Sequence, residues 1–430
     1  MKKIFVLLLA AAMLLCSCGK AVDENGKFIN PYPVEDITME DSIFDFEELS
    51  SYQPAVEYQE EIYGTGSAKP ILYSSAEFGV YANTKIFAYY GKPDPEEFKK
   101  PKNGYPAMVL VHGGSGQAEY SWVNKWTKRG YVAIAMDLFG NMATAEFAKI
   151  QNIYGGPQET SCGSFWAMNG ANEQTWTYQR VANIIHANNV LRADKDVDAD
   201  RIGITGISWG AYLTCITSGV DKRFAFFAPV YGCGFLDEDG DSVIFGPTFA
   251  ALKTQPQNYQ KWMKYYDPSS YLSYATKPML FVGGVNMQEP FSCRGRQKSI
   301  DLVKGKTFLS IRPSMVHSQS GGDGVEEVFR FAEFILYGKN EVLKLDNAPK
   351  FDGNTVSVVT ENNIGIESVQ LVYTQNELET NTHTWTFSSA AAAISGGGGS
   401  LELPAGATAY FFFITDVNGG RWSTNIVFAY

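Results

Sequence analysis

Residues 200–210 read Asp-Arg-Ile-Gly-Ile-Thr-Gly-Ile-Ser-Trp-Gly, which is the most informative segment for the fold. Its apolar first half is typical of a buried strand, and a helix is predicted to begin near Trp209. In a Gly-x-Ser-x-Gly turn between a strand and a helix, flanking side chains larger than hydrogen would clash, and the serine hydroxyl is lifted above the sheet edge. Ser208 is therefore the predicted nucleophile.

Strands and helices alternate on both sides of this turn. Apolar runs predict buried strands at 107–112, 131–136, 224–230 and 278–282, and helical stripes span 118–129 and 175–191. Such alternation predicts a mostly parallel sheet with helices on both faces, and ligands that bind beyond the carboxyl ends of the strands.

The character of the chain changes after Gly338, where no helical stripe follows. The predicted strands there are 355–361, 366–374, 384–387, 408–415 and 424–430, separated by polar turns. We predict a small all-β sandwich domain over 343–430, in which the Ala- and Gly-rich tract 390–399 is a flexible loop.

The N-terminus has the features of an export signal. Lys2 and Lys3 precede an apolar run over 4–15, which is too short to span a membrane. The run ends near Cys18, which resembles the acylated cysteine of a bacterial lipobox; Cys16 is the alternative anchor, and an ordinary secretory leader is the other interpretation. We expect an exported chain with a lipoprotein signal peptide at 1–18, a spacer and lead segment at 19–66, and an α/β domain at 67–342.

Composition excludes some classes of partner and cofactor. The net charge of −11 would repel nucleic acid, so none is expected as a partner. Beyond the leader, disulfides are permitted among four cysteines, whose pairing the sequence does not reveal: Cys162, Cys215, Cys233 and Cys293. They form no CxxC pairs and lack nearby histidines, so neither a metal nor an organic cofactor is expected.

A serine hydroxyl needs a base to become nucleophilic at neutral pH, and that base is usually histidine. The chain has four histidines. His112 belongs to the loop before the first helix of the α/β domain, His186 lies within a predicted helix, and His383 is in the β domain. His317 remains, downstream of the predicted strands as the order nucleophile, acid, base requires.

Two backbone amides are predicted to bind the oxyanion of a tetrahedral intermediate. His112-Gly113-Gly114 follows a buried strand and precedes a helix, so amides of this loop can face the reacting carbonyl. We assign the amides of Gly114 and Trp209 to this role. The glycines also suit a tight turn at the strand exit, an interpretation compatible with the functional one.

The acid partner of His317 is expected in the loop after strand 278–282. Glu289 is the only carboxylate there, and we predict it as the third catalytic residue. Asp237, after the preceding strand, is the alternative. A third possibility is that neither carboxylate serves and that Asn286 or a backbone carbonyl orients the imidazole.

Several segments together resemble a known family: 106–115, 200–210, Ala228-Pro-Val-Tyr-Gly-Cys-Gly-Phe235 and the His317 region. They are similar to acetylxylan-esterase-like and dienelactone-hydrolase-like α/β-hydrolases, members of which often carry a C-terminal β domain. The family has an aspartate where Met287 stands here.

The resemblance implies an α/β-hydrolase fold and a serine esterase that deacylates a carbohydrate through an acyl-enzyme. A polysaccharide or small-molecule ester is thus the expected substrate, and the membrane is a partner through the lipid anchor. A prolyl-oligopeptidase-like serine peptidase and a catalytically impaired glycan-binding homologue are the alternatives.

Overall fold

A mostly parallel sheet forms the centre of the protein. The computed structural model describes residues 37–62, 65–144, 148–157, 170–237, 245–285, 290–339, 341–376, 387–395 and 397–428. Within them, nine strands pair in the order β1-β2-β3-β5-β4-β8-β9-β10-β11. Their bounds are β1 Val56–Tyr58, β2 Ala68–Ser75, β3 Thr84–Gly91, β4 Tyr105–Val111, β5 Val132–Met136, β8 Val197–Ile207, β9 Phe226–Val230, β10 Met279–Gly284 and β11 Thr307–Arg312.

Helices cover both faces of this sheet, and a short hairpin extends from it. The helices are α1 Phe46–Ser51, α2 Tyr120–Thr127, α3 Trp176–Ala193, α4 Trp209–Val220, α5 Phe245–Lys253, α6 Pro256–Tyr265, α7 Ser269–Leu272, α8 Cys293–Leu302, α9 Gln319–Gly322 and α10 Glu326–Tyr337. The hairpin pairs β6 Asn141–Ala143 with β7 Lys149–Gln151. None of the helices described is long and apolar enough to cross a membrane.

The six neighbouring strands β5, β4, β8, β9, β10 and β11 of this sheet are all parallel, as the alternating pattern predicts. β4, β5, β9 and β10 are buried along their whole length, which explains their continuous apolar sequences. β1, β2 and β3 extend the sheet in antiparallel order, an addition that the sequence analysis did not predict. The predicted α/β-hydrolase fold is confirmed.

The C-terminal β module, strands β12 to β20, contains two antiparallel sheets. One has the order β12-β13-β17-β16, and the other has the order β15-β14-β18-β19, with β20 also paired to β18. The strands are β12 Lys350–Asp352, β13 Thr355–Val359, β14 Ile366–Thr374, β15 Ser388–Ala391, β16 Ala393–Ser395, β17 Gly398–Glu402, β18 Ala409–Asp416, β19 Arg421–Ser423 and β20 Val427–Phe428. Inner residues such as Val356, Val369 and Phe412 belong to one hydrophobic core.

The prediction of a flexible loop at 390–399 is wrong. All but two of the described residues of this tract, Ala392 and Gly397, lie in β15, β16 and β17. Alanine, serine and glycine have small side chains or none, so a strand made of them shows no alternating hydrophobic pattern. Their backbone amides and carbonyls nevertheless form strand hydrogen bonds as well as those of any residue. Gly399 also packs against Val369, where an added Cβ would lie 2.6 Å from a side-chain carbon.

The β module covers the outer edge of β11. Ser423 Oγ accepts the outward amide of Ile311 at 2.9 Å, and Asn347 Nδ2 donates to the carbonyl of Thr307 at 3.3 Å. The hydrophobic core continues from the α/β layers into the module, through Phe308 and Trp422 among others. Described residues from Ile37 onward belong to one compact unit. The predicted boundary at 342 stays a prediction.

Candidate active site

Ser208 lies at the sharp turn between β8 and α4. Its φ of 56° and ψ of −115° are rare for a residue with a side chain, and such strain is concentrated at functional sites. The Ser208 amide donates to the carbonyl of Val230 at 2.8 Å, which ties the turn to the end of β9. The side chain is thereby held at the carboxyl edge of the parallel strands.

The two glycines of the motif are required by close backbone approach. A Cβ on Gly206 would lie 2.2 Å from the carbonyl oxygen of Gly210. A Cβ on Gly210 would lie 2.0 Å from the carbonyl oxygen of Val111, at the end of β4. Only glycine therefore lets the N-terminus of α4 sit against the end of the neighbouring strand.

His317 is the histidine that the structure brings to Ser208. It lies in the loop between β11 and α9, and its Nε2 is 2.9 Å from Ser208 Oγ. At this distance the hydroxyl can donate its proton to an imidazole nitrogen, which is the geometry that a general base requires. The elimination of the other three histidines thus selected the one in contact with the serine.

The predicted oxyanion loop lies directly against the serine turn. A Cβ on Gly113 would be 3.2 Å from Ser208 Cβ, and one on Gly114 would be 2.7 Å from the Trp209 ring. Gly114 and Trp209, the residues whose amides we assigned to the oxyanion, are therefore neighbours across the site. The N-terminus of α4 adds its positive dipole end at the same place.

Hydrogen bonds fix the tautomer of His112 and with it the oxyanion loop. Its Nδ1 is 2.7 Å from the Gly113 carbonyl, and its Nε2 is 3.0 Å from the Leu138 amide. Because a carbonyl only accepts and an amide only donates, Nδ1 carries the proton and Nε2 accepts. His112 is buried and supports the loop rather than acting as a base.

The other histidines have different positions. His186 is buried, its Nδ1 is 2.8 Å from Ser75 Oγ, and burial lowers its pKa to about 3, so it is neutral at physiological pH. His383 lies outside the described residues. His186 is thus a core histidine of α3.

The predicted acid partners are only partly within the described residues. Glu289 and Asn286 lie outside them, as does Cys18. The alternative acid, Asp237, accepts a hydrogen bond from the Tyr259 hydroxyl of α6 at 2.6 Å. The choice between Glu289 and Asp237 as the acid stays a prediction.

Aromatic side chains form a wall beside the serine, which the sequence analysis missed. The Trp209 ring packs edge to face against Tyr212 at 5.0 Å, Phe245 at 5.3 Å and Trp176 at 5.8 Å between centroids. Phe291 closes the cluster at 5.2 Å from Phe245. These residues come from four distant parts of the sequence, so no local pattern predicts that they meet.

Comparison with known proteins agrees with this geometry. Residues 44–238, just under half of the chain, match the acetyl xylan esterase family. Over these residues the chain is similar to acetyl xylan esterases, and its fold is that of the α/β-hydrolases. The match includes the oxyanion loop and Ser208 and ends before His317, which is placed by the structure alone.

Two solved acetyl xylan esterases share the fold of this chain. An acetyl xylan esterase from Paenibacillus sp. R4 is 19% identical with a TM-score of 0.55, and the alignment covers 71% of this chain and 98% of that one. Acetyl xylan esterase 1 from Thermoanaerobacterium sp. JW/SL YS485 is 16% identical with a TM-score of 0.51, and covers 69% and 98%. Both comparisons concern the fold.

Proposed function

We propose that this α/β-hydrolase is a serine carboxylesterase in which Ser208 is the nucleophile and His317 the general base. The observation that carries the proposal is the 2.9 Å contact between Ser208 Oγ and His317 Nε2 on a glycine-flanked turn. A hydroxyl at hydrogen-bond distance from a histidine, beside two amides suited to an oxyanion, is the arrangement that acyl transfer needs.

The reaction proceeds through an acyl-enzyme. Ser208 Oγ attacks the ester carbonyl carbon while its proton passes to His317 Nε2, and the amides of Gly114 and Trp209 face the negative oxygen. The C–O bond to the alcohol then breaks, and His317 returns the proton to the leaving alcohol. Water attacks the acyl-enzyme by the same steps, which releases the carboxylic acid and restores Ser208.

Replacement of the nucleophile tests this mechanism. Ser208→Ala removes one hydroxyl from the turn and should lower kcat on p-nitrophenyl acetate by roughly three orders of magnitude or more without loss of the fold. Ser320→Ala, an exposed serine of the His317 region, is the matched control and should keep wild-type kcat. More than a few per cent of wild-type activity in Ser208→Ala would refute the assignment.

We propose Glu289 as the acid that orients His317. Pro290 restricts the Glu289 backbone to extended conformations, which favours a side chain directed away from the end of β10. Glu289→Gln should lower kcat by roughly two to four orders of magnitude with little change in KM, and Asp237→Asn should be nearly silent. The reverse result would transfer the role to Asp237.

Acylated carbohydrate is the substrate class that we propose, since the family match and the two structures above are named for acetyl xylan. Acetylated xylan and p-nitrophenyl acetate should be hydrolysed, and an Xaa-Pro anilide should not. Faster cleavage of the anilide would favour a peptidase. Binding of xylan without turnover of any of the three would favour an impaired glycan-binding homologue.

We also propose export and a lipid anchor at Cys18. The support is the sequence of residues 1–18, with its basic start, apolar run and terminal cysteine. Cys18→Ser should release the chain from the membrane fraction, because the acyl chains would be its anchor. Unchanged partitioning into detergent, with Cys16→Ser as the parallel variant, would contradict this site.

A further inference from the structure

Tyr231 is a buried residue that the mechanism above does not use. It follows the end of β9 directly and is 0% exposed. Its φ is 69°, and among the described residues other than glycine only Ser115, Ser208 and Phe235 share a positive φ. An aromatic residue rarely adopts this conformation, so its surroundings must impose it.

The backbone around Tyr231 is bonded to the nucleophile turn and to the next strand. The carbonyl of Val230 accepts the Ser208 amide at 2.8 Å, and the Tyr231 amide donates to the carbonyl of Val282 at 2.8 Å. The Cα of Tyr231 is therefore fixed relative to Ser208.

The side chain of Tyr231 contacts the other half of the pair. Its ring centroid lies 4.5 Å from that of the His317 imidazole, with the planes tilted by 36°. Its hydroxyl donates to the carbonyl of Val316 at 2.6 Å. Val316 itself is 73% exposed, so the loop that carries His317 runs along the surface and this hydrogen bond tethers it to the core.

The glycines after His317 make room for this contact. A Cβ on Gly321 would lie 2.8 Å from the Tyr231 hydroxyl, and one on Gly322 would lie 3.2 Å from its ring. The sequence His-Ser-Gln-Ser-Gly-Gly at 317–322 thus fits around a tyrosine that is distant in sequence.

We propose that Tyr231 is a positioning residue, which holds His317 Nε2 on Ser208 Oγ through its ring and through the bond from its hydroxyl to Val316. An imidazole rotates about two side-chain torsions, and the packed ring restricts both. The imidazolium that forms during acyl transfer also lies within cation–π distance of the tyrosine ring. This inference rests on the function proposed above.

Two substitutions separate the effect of the hydrogen bond to Val316 from the effect of the tyrosine ring. Tyr231→Phe keeps the ring and removes the hydrogen bond, and should lower kcat about 2- to 10-fold with KM unchanged. Tyr231→Leu removes both and should lower kcat by roughly 100-fold, since a displaced base has effects of that size. Tyr271→Phe is the matched control: Tyr271 is also 0% exposed and donates to the carbonyl of Tyr265 at 2.8 Å, remote from the pair in the contacts described.

The rate at which a fluorophosphonate labels Ser208, followed by mass spectrometry, measures the same property without any ester substrate. It should fall in both Tyr231 variants in parallel with kcat and stay at the wild-type value in Tyr271→Phe. If folded Tyr231→Phe has the labelling rate and kcat of the wild type, the hydrogen bond from Tyr231 to Val316 does not position His317. If Tyr231→Leu does not fold, Tyr231→Phe decides.

A wild-type chain that resists labelling would refute the Ser208–His317 pair itself and this inference with it, whereas labelled wild type preserves the pair whatever the variants do.

Discussion

Asp267 lies beneath the loop that follows β9 and is wholly buried. Its carboxylate accepts the amides of Phe235 at 2.8 Å, Leu236 at 3.0 Å and Ser269 at 2.8 Å. Burial raises its pKa from 3.8 to about 6, although these hydrogen bonds oppose the shift. The carboxyl group that holds this loop by hydrogen bonds therefore has a pKa close to physiological pH.

This pKa predicts a pH dependence of stability. The folded chain binds the Asp267 proton more tightly than the unfolded chain, so the contribution is complete below pH 4 and is lost as pH rises through 6. The loss is at most about 3 kcal/mol of unfolding free energy. Denaturant titrations from pH 4 to pH 7 should show a steeper decline in wild type than in Asp267→Asn. Parallel curves for the two proteins would contradict the assignment.

At the scale of single residues, the sequence predicted the positions whose chemistry is local. The glycines around Ser208 form a motif within five residues, and with only four histidines in the chain elimination selected His317, the histidine in contact with Ser208. Tyr231 and the aromatic wall around Trp209 were missed because their partners lie far away in the sequence. Local sequence patterns do not predict contacts between residues that are far apart in the sequence.

At the scale of elements, α10 joins β11 to the β module through a buried carboxylate. Glu327 is 0% exposed and accepts from Arg312, from the Arg421 amide at 2.9 Å and from the Arg421 Nε at 3.1 Å. Arg312 ends the strand that leads to His317. The Glu327 carboxylate therefore connects the end of β11, just before the His317 loop, with β19.

Glu327→Gln should be strongly destabilising, because it leaves the buried Arg312 guanidinium without a counter-charge. A loss of roughly 3 to 5 kcal/mol in unfolding free energy is expected. Glu326→Gln is the matched control, since Glu326 pairs at 2.9 Å with Arg129 at the surface, where a pair contributes at most about 1 kcal/mol. Equal effects in urea titrations of the two variants would show that Glu327 is no more than a surface contact.

Prediction of the elements succeeded where burial gives a continuous apolar run. The parallel strands β4, β5, β9 and β10 were predicted within two residues at most ends. β2 and β3 were not predicted, although each carries a short unbroken apolar run, at 71–73 and 86–90, after a lysine at its second position. β11 was missed too, because polar residues interrupt its apolar ones: Thr307 and Arg312 bond to Asn347 and Glu327, and Ser310 accepts from Arg312 of the same strand.

At the scale of the whole molecule, the α/β layers and the β module share one hydrophobic core. Phe308 on β11 is 5% exposed and Trp422 on β19 is 1% exposed, and both belong to that core. The module thus supplies part of the interior of the hydrolase.

A chain that ends after Gly338 should therefore be markedly less stable than the full chain. It loses the partners of Glu327 and of the Ile311 amide, and we expect Tm to fall by roughly 10 °C or more. Ser423→Ala in the full chain removes only the bond to Ile311 and should cost about 1 kcal/mol. Calorimetry of both proteins measures these effects. If the truncated monomer has the Tm of the full chain, the β module does not stabilise the α/β layers.

The way in which β11 is covered has a consequence for how copies of this protein meet one another. Ser423 and Asn347 satisfy outward backbone groups of that strand with side chains, and so they do not continue the ladder. The opposite end of the sheet is β1, only three residues long. An unprotected strand is a template on which a second chain can add its own, the first step towards fibrous aggregates. With one end covered and the other only three residues long, the described sheet offers no long free edge on which a second chain could add a strand.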